Sequence, residues 1–287
     1  MDFNWIGERV AVMDLERVLF NLVHEKDDAC WGPNRTFRFP KVGGTGAVWE
    51  GVADLVGREH ISLQKEVVAV DPAAKAVALG DGSQDRYDVL ISTMPVNCLV
   101  QIAGLRRLQE PASRLRWSSS NIVGIGLSGR PPSALSKKCW MYFPEDNCPF
   151  YRVTVFSNYS PNNVPDISSQ WSLMAEISES PHKPVDRGHL IEDVIDGMLA
   201  TKLIERSNDI LSTWSYHAPY GFPTPTLGRD QALSQIHAEL EPYQIYSRGR
   251  FGGWKYEVSN QDHSLIQGVE LAERLVASGS DPGKSNA

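Results

Sequence analysis

The stretch Cys139–Tyr159, CWMYFPEDNCPFYRVTVFSNY, constrains the chain more than any other. From Tyr151 to Phe156 polar and apolar residues alternate with period two, the spacing of a β-strand, so Arg152 shares a face with Thr154 and Phe156, opposite Tyr151, Val153 and Val155. The stretch holds one arginine and no lysine, with Trp140, Tyr142, Tyr151 and Tyr159 around that arginine. A guanidinium among aromatic rings suits a planar, anionic, ring-bearing ligand such as a sugar nucleotide, because it forks two hydrogen bonds onto a diphosphate. An amphipathic strand with a surface arginine and core aromatics has the same pattern. Both readings stand on this stretch alone.

Upstream, Leu15, Val18, Leu19, Leu22 and Val23 have helical spacing behind Asp14, a fair N-cap, and predict a core-facing helix. Phe37 to Gly46 leads from a short strand through Gly43-Gly44-Thr45-Gly46 into a helix from about Val48 to Gly57. Glycines before a helix either make a tight turn or let backbone N–H groups approach an anion or carbonyl. Ile61 to Thr93 reads as short strands, ISL, EVVAVD, AVAL and YDVLIST, with a hairpin turn at Gly80-Asp81-Gly82.

Pro95 to Trp117 is expected to be helical and Asn121 to Ser128 a buried strand. Pro161 to Ser169 is a loop, Trp171 to Ile177 a strand, Leu190 to Leu203 an amphipathic helix, and Ile210 to His217 a further strand. In Tyr246 to Ser264, Arg250 follows Arg248 across a glycine, Tyr256 is expected in a strand with Trp254, and a helix begins near Asn260. A helix N-terminus carries about half a positive charge and suits an anionic group. The same residues also fit an ordinary polar turn. A closing helix uses Leu265, Ile266, Val269, Leu271, Leu275 and Val276, and the tail SGSDPGKSNA reads as disordered.

At 287 residues the chain supports one large or two modest domains. With 41% hydrophobic and 22% charged residues it has the composition of an ordinary globular protein. A net charge of −7 excludes a general nucleic-acid binder, so Arg152 and Arg250 act locally. No apolar run is long enough for a membrane span, and MDFNWIGERV lacks a signal peptide's basic and apolar regions, which together predict a cytoplasmic protein with no membrane partner. Cys30, Cys98, Cys139 and Cys148 form no CxxC pair and are expected to be free thiols. His182 and His189 have no metal-ligand spacing, and His263 lacks a nucleophile elbow or phosphate loop, so no metal is expected.

Trp31-Gly-Pro-Asn, Phe37-Arg-Phe-Pro, Gly43-Gly-Thr-Gly, the Cys139–Tyr159 stretch, Pro223-Thr-Pro-Thr-Leu, Ser247-Arg-Gly-Arg-Phe-Gly and Asn260-Gln-Asp-His-Ser together resemble the UDP-galactopyranose mutases of eukaryotic, fungal type. The likeness runs through most of the chain. No strand followed by GxGxxG and a later acid is present, and the resemblance places that dinucleotide fingerprint N-terminal to everything here.

The resemblance implies an α/β, mixed α+β fold: part of an FAD-binding two-dinucleotide-binding-domain flavoprotein with an antiparallel-sheet substrate domain. It implies a helical remnant at 1–30, an FAD-domain segment at 31–115, a substrate-binding sheet at 116–245, a return to the FAD domain at 246–278 and a tail at 279–287. It further implies isomerisation of UDP-galactopyranose and UDP-galactofuranose on reduced FAD, whose N5 attacks the anomeric carbon, so no side chain is assigned the bond chemistry. Trp140, Tyr142, Arg152, Tyr159, Tyr256 and Asn260 would then contact substrate. Gly43, Gly44, Thr45, Val67, Arg250, Asn260 and Gln261 would contact FAD.

Three positions depart from the pattern: Asp14 and Ser259 stand where the family has asparagine and glycine, and Phe222 where it has tyrosine. Losing that phenol's hydrogen bond to a diphosphate costs roughly 1.5 to 3 kcal/mol. The alternatives are an inactive remnant or sugar-nucleotide-binding partner that cannot hold FAD alone, an amine-oxidase-type flavin oxidoreductase, and a chain completed by a separately encoded N-terminal half. A homo-oligomer is a further possible assembly.

Overall fold

The computed structural model describes residues 2, 6, 14–26, 37–206, 209–258 and 260–278. Trp31-Gly-Pro-Asn, Cys30, Ser259 and the tail after Ser278 lie outside the described residues. The chain divides into two units, Met1–Trp5, Ser62–Ser120 and Ala218–Ala287 forming one, and Ile6–Ile61 and Asn121–His217 the other.

The second unit holds most of a five-stranded sheet. Its strands are β5 (Arg116–Ser128), β6 (Trp140–Tyr142), β7 (Arg152–Val155), β8 (Gln170–Glu179) and β9 (Ile210–Thr224), in the order β6-β7-β8-β5-β9. Strict alternation makes one face of it apolar: Val123, Ile125 and Leu127, Val153 and Val155, and Trp171, Leu173, Ala175 and Ile177 are all buried. The helix α5 (Leu190–Ala200) covers that face with Leu190, Val194 and Met198. β9 continues past His217 through Pro219 and Pro223, which an edge strand tolerates because one row of its backbone groups needs no ladder partner.

Two helices of this unit form where the sequence predicts them, and neither buries a residue. In α1 (Leu15–Val23) Asp14 accepts a hydrogen bond from the Arg17 backbone N–H at 3.2 Å, yet no residue of the helix is buried. The expectation of a core-facing α1 is therefore corrected: periodicity fixes which residues share a face, not what covers it. α2 (Gly46–Val56) likewise buries none of its residues. Phe37 to Pro40 forms no strand, having no ladder partner, and Phe37 and Phe39 instead pack their rings on Tyr159.

The first unit has an antiparallel ribbon of β1 (Val67–Asp71), β2 (Ala76–Leu79) and β3 (Gln84–Arg86). The Asp81 carboxylate accepts from the Ser83 backbone N–H at 3.0 Å and closes the predicted turn. Ile61 to Leu63, expected as a strand, is not one. A parallel pair follows, β4 (Leu90–Ser92) with β10 (Ile245–Ser247). The expected helix at Pro95–Trp117 splits into α3 (Val96–Ile102) and α4 (Arg106–Ser113) around Gly104, whose φ of +63° is left-handed, and Trp117 belongs to β5.

Missing from the sequence reading is α6 (Arg229–Leu240), whose Ala232, Leu233, Ile236 and Leu240 complete a core with Val96, Leu99, Leu115 and Trp254. The closing helix α7 (Gln261–Ala277) begins after Asn260 as expected and buries Leu271 and Leu275 against Tyr246.

Candidate functional site

The second unit carries a row of polar side chains on the sheet face opposite its core. Tyr142 of β6 is in register with Arg152 of β7, and Arg152 with Glu176 of β8. Arg152 Nε donates to Glu176 Oε1 at 2.7 Å and Nη2 to Oε2 at 2.7 Å. The Tyr142 phenol hydrogen-bonds the guanidinium from the other side. Burial opposes the arginine's charge, but the carboxylate outweighs it and the guanidinium pKa is raised above its ordinary value.

Tyr151 was expected on the opposite face. The strand begins only at Arg152, so the alternation does not reach Tyr151, and its hydroxyl donates to Glu176 Oε2 at 2.9 Å. Phe156, expected to continue the Arg152 face, starts a 3-10 turn at Phe156–Asn158.

Beside this row lies an aromatic wall. Phe37 stands 5.4 Å from Trp140 and 4.8 Å from Tyr159, ring centre to ring centre, and Trp140 stands 6.3 Å from Tyr159. Burial pushes the Tyr159 phenol up to about 12, against a hydrogen bond with Thr154. Lys41 offers its carbonyl to Asn162 Nδ2 at 2.9 Å, just before the glycine turn. Gly43 and Gly44 have φ of +78° and +61°, which side-chain-bearing residues rarely adopt, and a Cβ at Gly43 would stand 3.0 Å from the Ala47 Cβ. Thr45 makes no capping hydrogen bond through its side chain.

The first unit holds a second cluster. The Arg250 guanidinium lies 4.9 Å over the Phe222 ring and donates to the Gly221 carbonyl at 3.2 Å, while Phe222 faces Tyr256 at 5.7 Å. Tyr256 is in a 3-10 turn, Tyr256–Val258, and not the predicted strand, because Trp254 takes a left-handed φ of +53° and breaks the extended path. That turn is held from below: Arg229 Nη1 and Nη2 donate to Glu257 at 2.9 and 2.6 Å.

Burial works against the Arg229 charge, but Glu257 and Asp230 outweigh it and its pKa is raised. Burial likewise raises the Glu257 carboxyl, and Arg229 more than reverses the effect, leaving it lowered. Asn260 and Gln261 stand exposed at the start of α7, and Val67 is half-buried in β1, paired with Leu79.

At the carboxyl ends of the parallel strands β4 and β10, Ser92 and Ser247 bury hydroxyls with no hydrogen-bond partner among the described residues. Gly249, with φ of +85°, stands two residues after Ser247. Ligands of open α/β sheets bind outside the carboxyl ends of the strands. Orphaned hydroxyls and a glycine turn at that edge therefore fit a polar cofactor such as a flavin nucleotide. A cavity of about 420 Å³ beside α6, lined by Asp230, Ser234, His237, Glu241 and Lys255, includes none of the expected site residues.

The structure thus brings Trp140, Tyr142, Arg152 and Tyr159 together in one unit, and Arg250 and Tyr256 in the other. Sequence reasoning missed Glu176, Arg229 and Glu257. Glu176 did leave a signal, since a lone carboxylate in the apolar run Trp171–Ile177 needs a cation when buried. Among the described residues no cluster of potential metal ligands occurs, no helix is long and apolar enough to cross a membrane, and Cys98, Cys139 and Cys148 are free thiols.

In class, this is a mixed helix–strand fold with antiparallel sheets, and two solved structures share it. The chain is similar to a reduced UDP-galactopyranose mutase, with a TM-score of 0.91 and 43% identity over 99% of this chain. It spans 63% of the length of that enzyme. A protein from Exiguobacterium sp. 255-15 assigned as a protoporphyrinogen oxidase matches 80% of this chain and 51% of its own, with a TM-score of 0.62 and 16% identity, a likeness of fold alone. No family model matches the sequence.

Proposed function

We propose that the chain is the sugar-nucleotide-binding part of a flavoprotein that interconverts UDP-galactopyranose and UDP-galactofuranose. The observation that carries this is the Tyr142–Arg152 row beside Trp140 and Tyr159, in a chain 43% identical over 99% of its length to a UDP-galactopyranose mutase. Arg152, with the Tyr142 phenol, binds the diphosphate; Trp140, Tyr159 and Phe37 wall the nucleotide and sugar. Tyr256 and Asn260 complete the substrate contacts.

FAD is held by Gly43, Gly44, Thr45, the Val67 backbone, Arg250, Asn260 and Gln261, with Ser92 and Ser247 offering hydroxyls. When bound in its reduced form, the flavin supplies the nucleophile toward the anomeric carbon. The chain's own residues hold the UDP group in place while the sugar ring reopens and recloses.

A second reading is that the chain takes up FAD only when a separate dinucleotide-binding half pairs with it. Parallel sheets bury both faces, whereas β4–β10 has three residues per strand and leaves Ile91 48% exposed.

Calorimetric titration with UDP, followed by an absorbance titration with FAD, tests both readings. The expected result is UDP binding that Arg152→Ala weakens about a hundredfold, the loss of a charge-assisted contact. Unchanged UDP binding in Arg152→Ala overturns the proposal. UDP binding without a protein-bound flavin band favours the second reading.

A further inference from the structure

Glu176 is not needed to build the sheet, since its own position is buried, 7% exposed, where an apolar residue would suit a strand. It is nevertheless the most hidden member of the row, with its side chain 9% exposed against 31% for Arg152. Its carboxylate takes the Nε and Nη2 edge of the guanidinium and also accepts from the Tyr151 hydroxyl. Two consequences follow. The Nε–Nη2 fork that would clasp a diphosphate side-on is already taken by Glu176. The row as a whole is electroneutral, so it rewards hydrogen-bond acceptors but gives little return for additional negative charge.

We propose that Glu176 is a specificity-determining residue that denies a free nucleoside diphosphate the advantage its extra charge would have at Arg152, so that the row takes a diphosphate esterified at both ends, as in a sugar nucleotide, equally well. The inference rests on the reading that Arg152 takes the diphosphate. In a sugar nucleotide each phosphate carries one charge. The terminal phosphate of a free diphosphate loses a further proton near pH 6. Beside an unpaired arginine that extra charge would strengthen binding; beside an arginine neutralised by a hidden carboxylate, Glu176 cancels most of that gain.

Glu176→Gln keeps the shape and one acceptor for Arg152 and removes the charge. Affinities for UDP and UDP-galactose are measured by calorimetry at pH 7.5 on the wild-type chain and on this variant. The expected result is a ratio of the two affinities that moves about tenfold toward UDP in Glu176→Gln, since a Coulomb interaction at this range and partial exposure has that size. A merely structural role for Glu176 would weaken both ligands alike, and that outcome, or an unchanged ratio, overturns the proposal.

A wild-type measurement stands beside it in case the variant does not fold. Between pH 5.5 and 7.5, the ratio of UDP to UDP-galactose affinity is expected to stay nearly constant in the wild type as the terminal phosphate of UDP ionises. A wild-type ratio that moves about tenfold toward UDP over that range overturns the proposal, since Glu176 would then not cancel the added charge. The groups facing that carboxylate are the Arg152 guanidinium and the Tyr151 phenol beside it, and Tyr142 from β6, with Tyr159 and Cys139 next to them. Burial pushes Tyr159 up to about 12 and raises Cys139. If neither ligand binds the wild type, or Arg152→Ala affects neither, the diphosphate reading itself has failed and this inference falls with it.

Discussion

Arg152 in the sheet and Arg229 at the start of α6 each lay a guanidinium against a glutamate with hydrogen bonds of 2.6 to 2.9 Å, but they are exposed in opposite senses. At Arg152 the carboxylate is the hidden member, 9% exposed against 31% for the arginine. At Arg229 the arginine is hidden, 6% exposed against 17% for Glu257. A half-exposed cation on a buried anion can still meet a ligand, and a buried cation cannot. Arg229 therefore serves the backbone: it fixes the turn that presents Tyr256. Under the proposed function Arg152 serves a ligand, and Glu176 tunes what it accepts. The same two residue types divide into support and recognition by which of them faces water.

The largest test of that division is Arg229→Met. It strands the Glu257 carboxylate in a site built for an ion pair, and breaking a buried pair from one side costs roughly 3 to 5 kcal/mol. Urea unfolding monitored by tryptophan fluorescence should show that loss, while Arg229→Met with Glu257→Leu should recover most of it, because a well-packed apolar pair often substitutes for a buried ionic one. Glu176→Ala should cost less, roughly 1 to 2 kcal/mol, because Arg152 is partly exposed and can turn to solvent. Equal losses at the two sites would dissolve the contrast.

Strands with one buried face were the most legible parts of the sequence. The alternation in β5, β7 and β8 follows from a sheet covered on one side by α5, and local spacing records it directly. α6 was equally periodic in Ala232, Leu233, Ile236 and Leu240, but Asp230, Gln231, Ser234 and Gln235 between them gave it the look of a polar connection.

The ion pairs were illegible for a different reason. Glu176 lies 24 residues from Arg152, and Glu257 28 from Arg229, so strand register and tertiary packing choose the partner, not local pattern. The exposure of α1 and α2 was also invisible, since a helix's apolar stripe is the same whether or not something covers it. Tyr151 and Tyr256 show the remaining gap: each stands where the regular path stops, at a strand start or after a left-handed residue, and one residue of shift changes the face it serves.

The smallest expected effect sharpens the comparison by pH. Glu257 has its folded pKa lowered below the unfolded value, because Arg229 outweighs burial. Its contribution to stability is therefore fully present above the unfolded carboxylate pKa of about 4.3 and is lost as pH falls through the lower folded value. In acid denaturation followed by circular dichroism, the wild type should lose stability more steeply than Glu257→Gln from about pH 4.3 downward, the two curves converging once the carboxyl is protonated in both states. In Arg229→Met burial raises the Glu257 carboxyl without its counter-charge, so that variant should regain part of its lost stability as the pH falls through the raised value. Parallel acid limbs in all three proteins would mean that Arg229 and Glu257 are too well hydrated in solution to be a closed pair, and the distinction from Arg152 would rest on Glu176 alone.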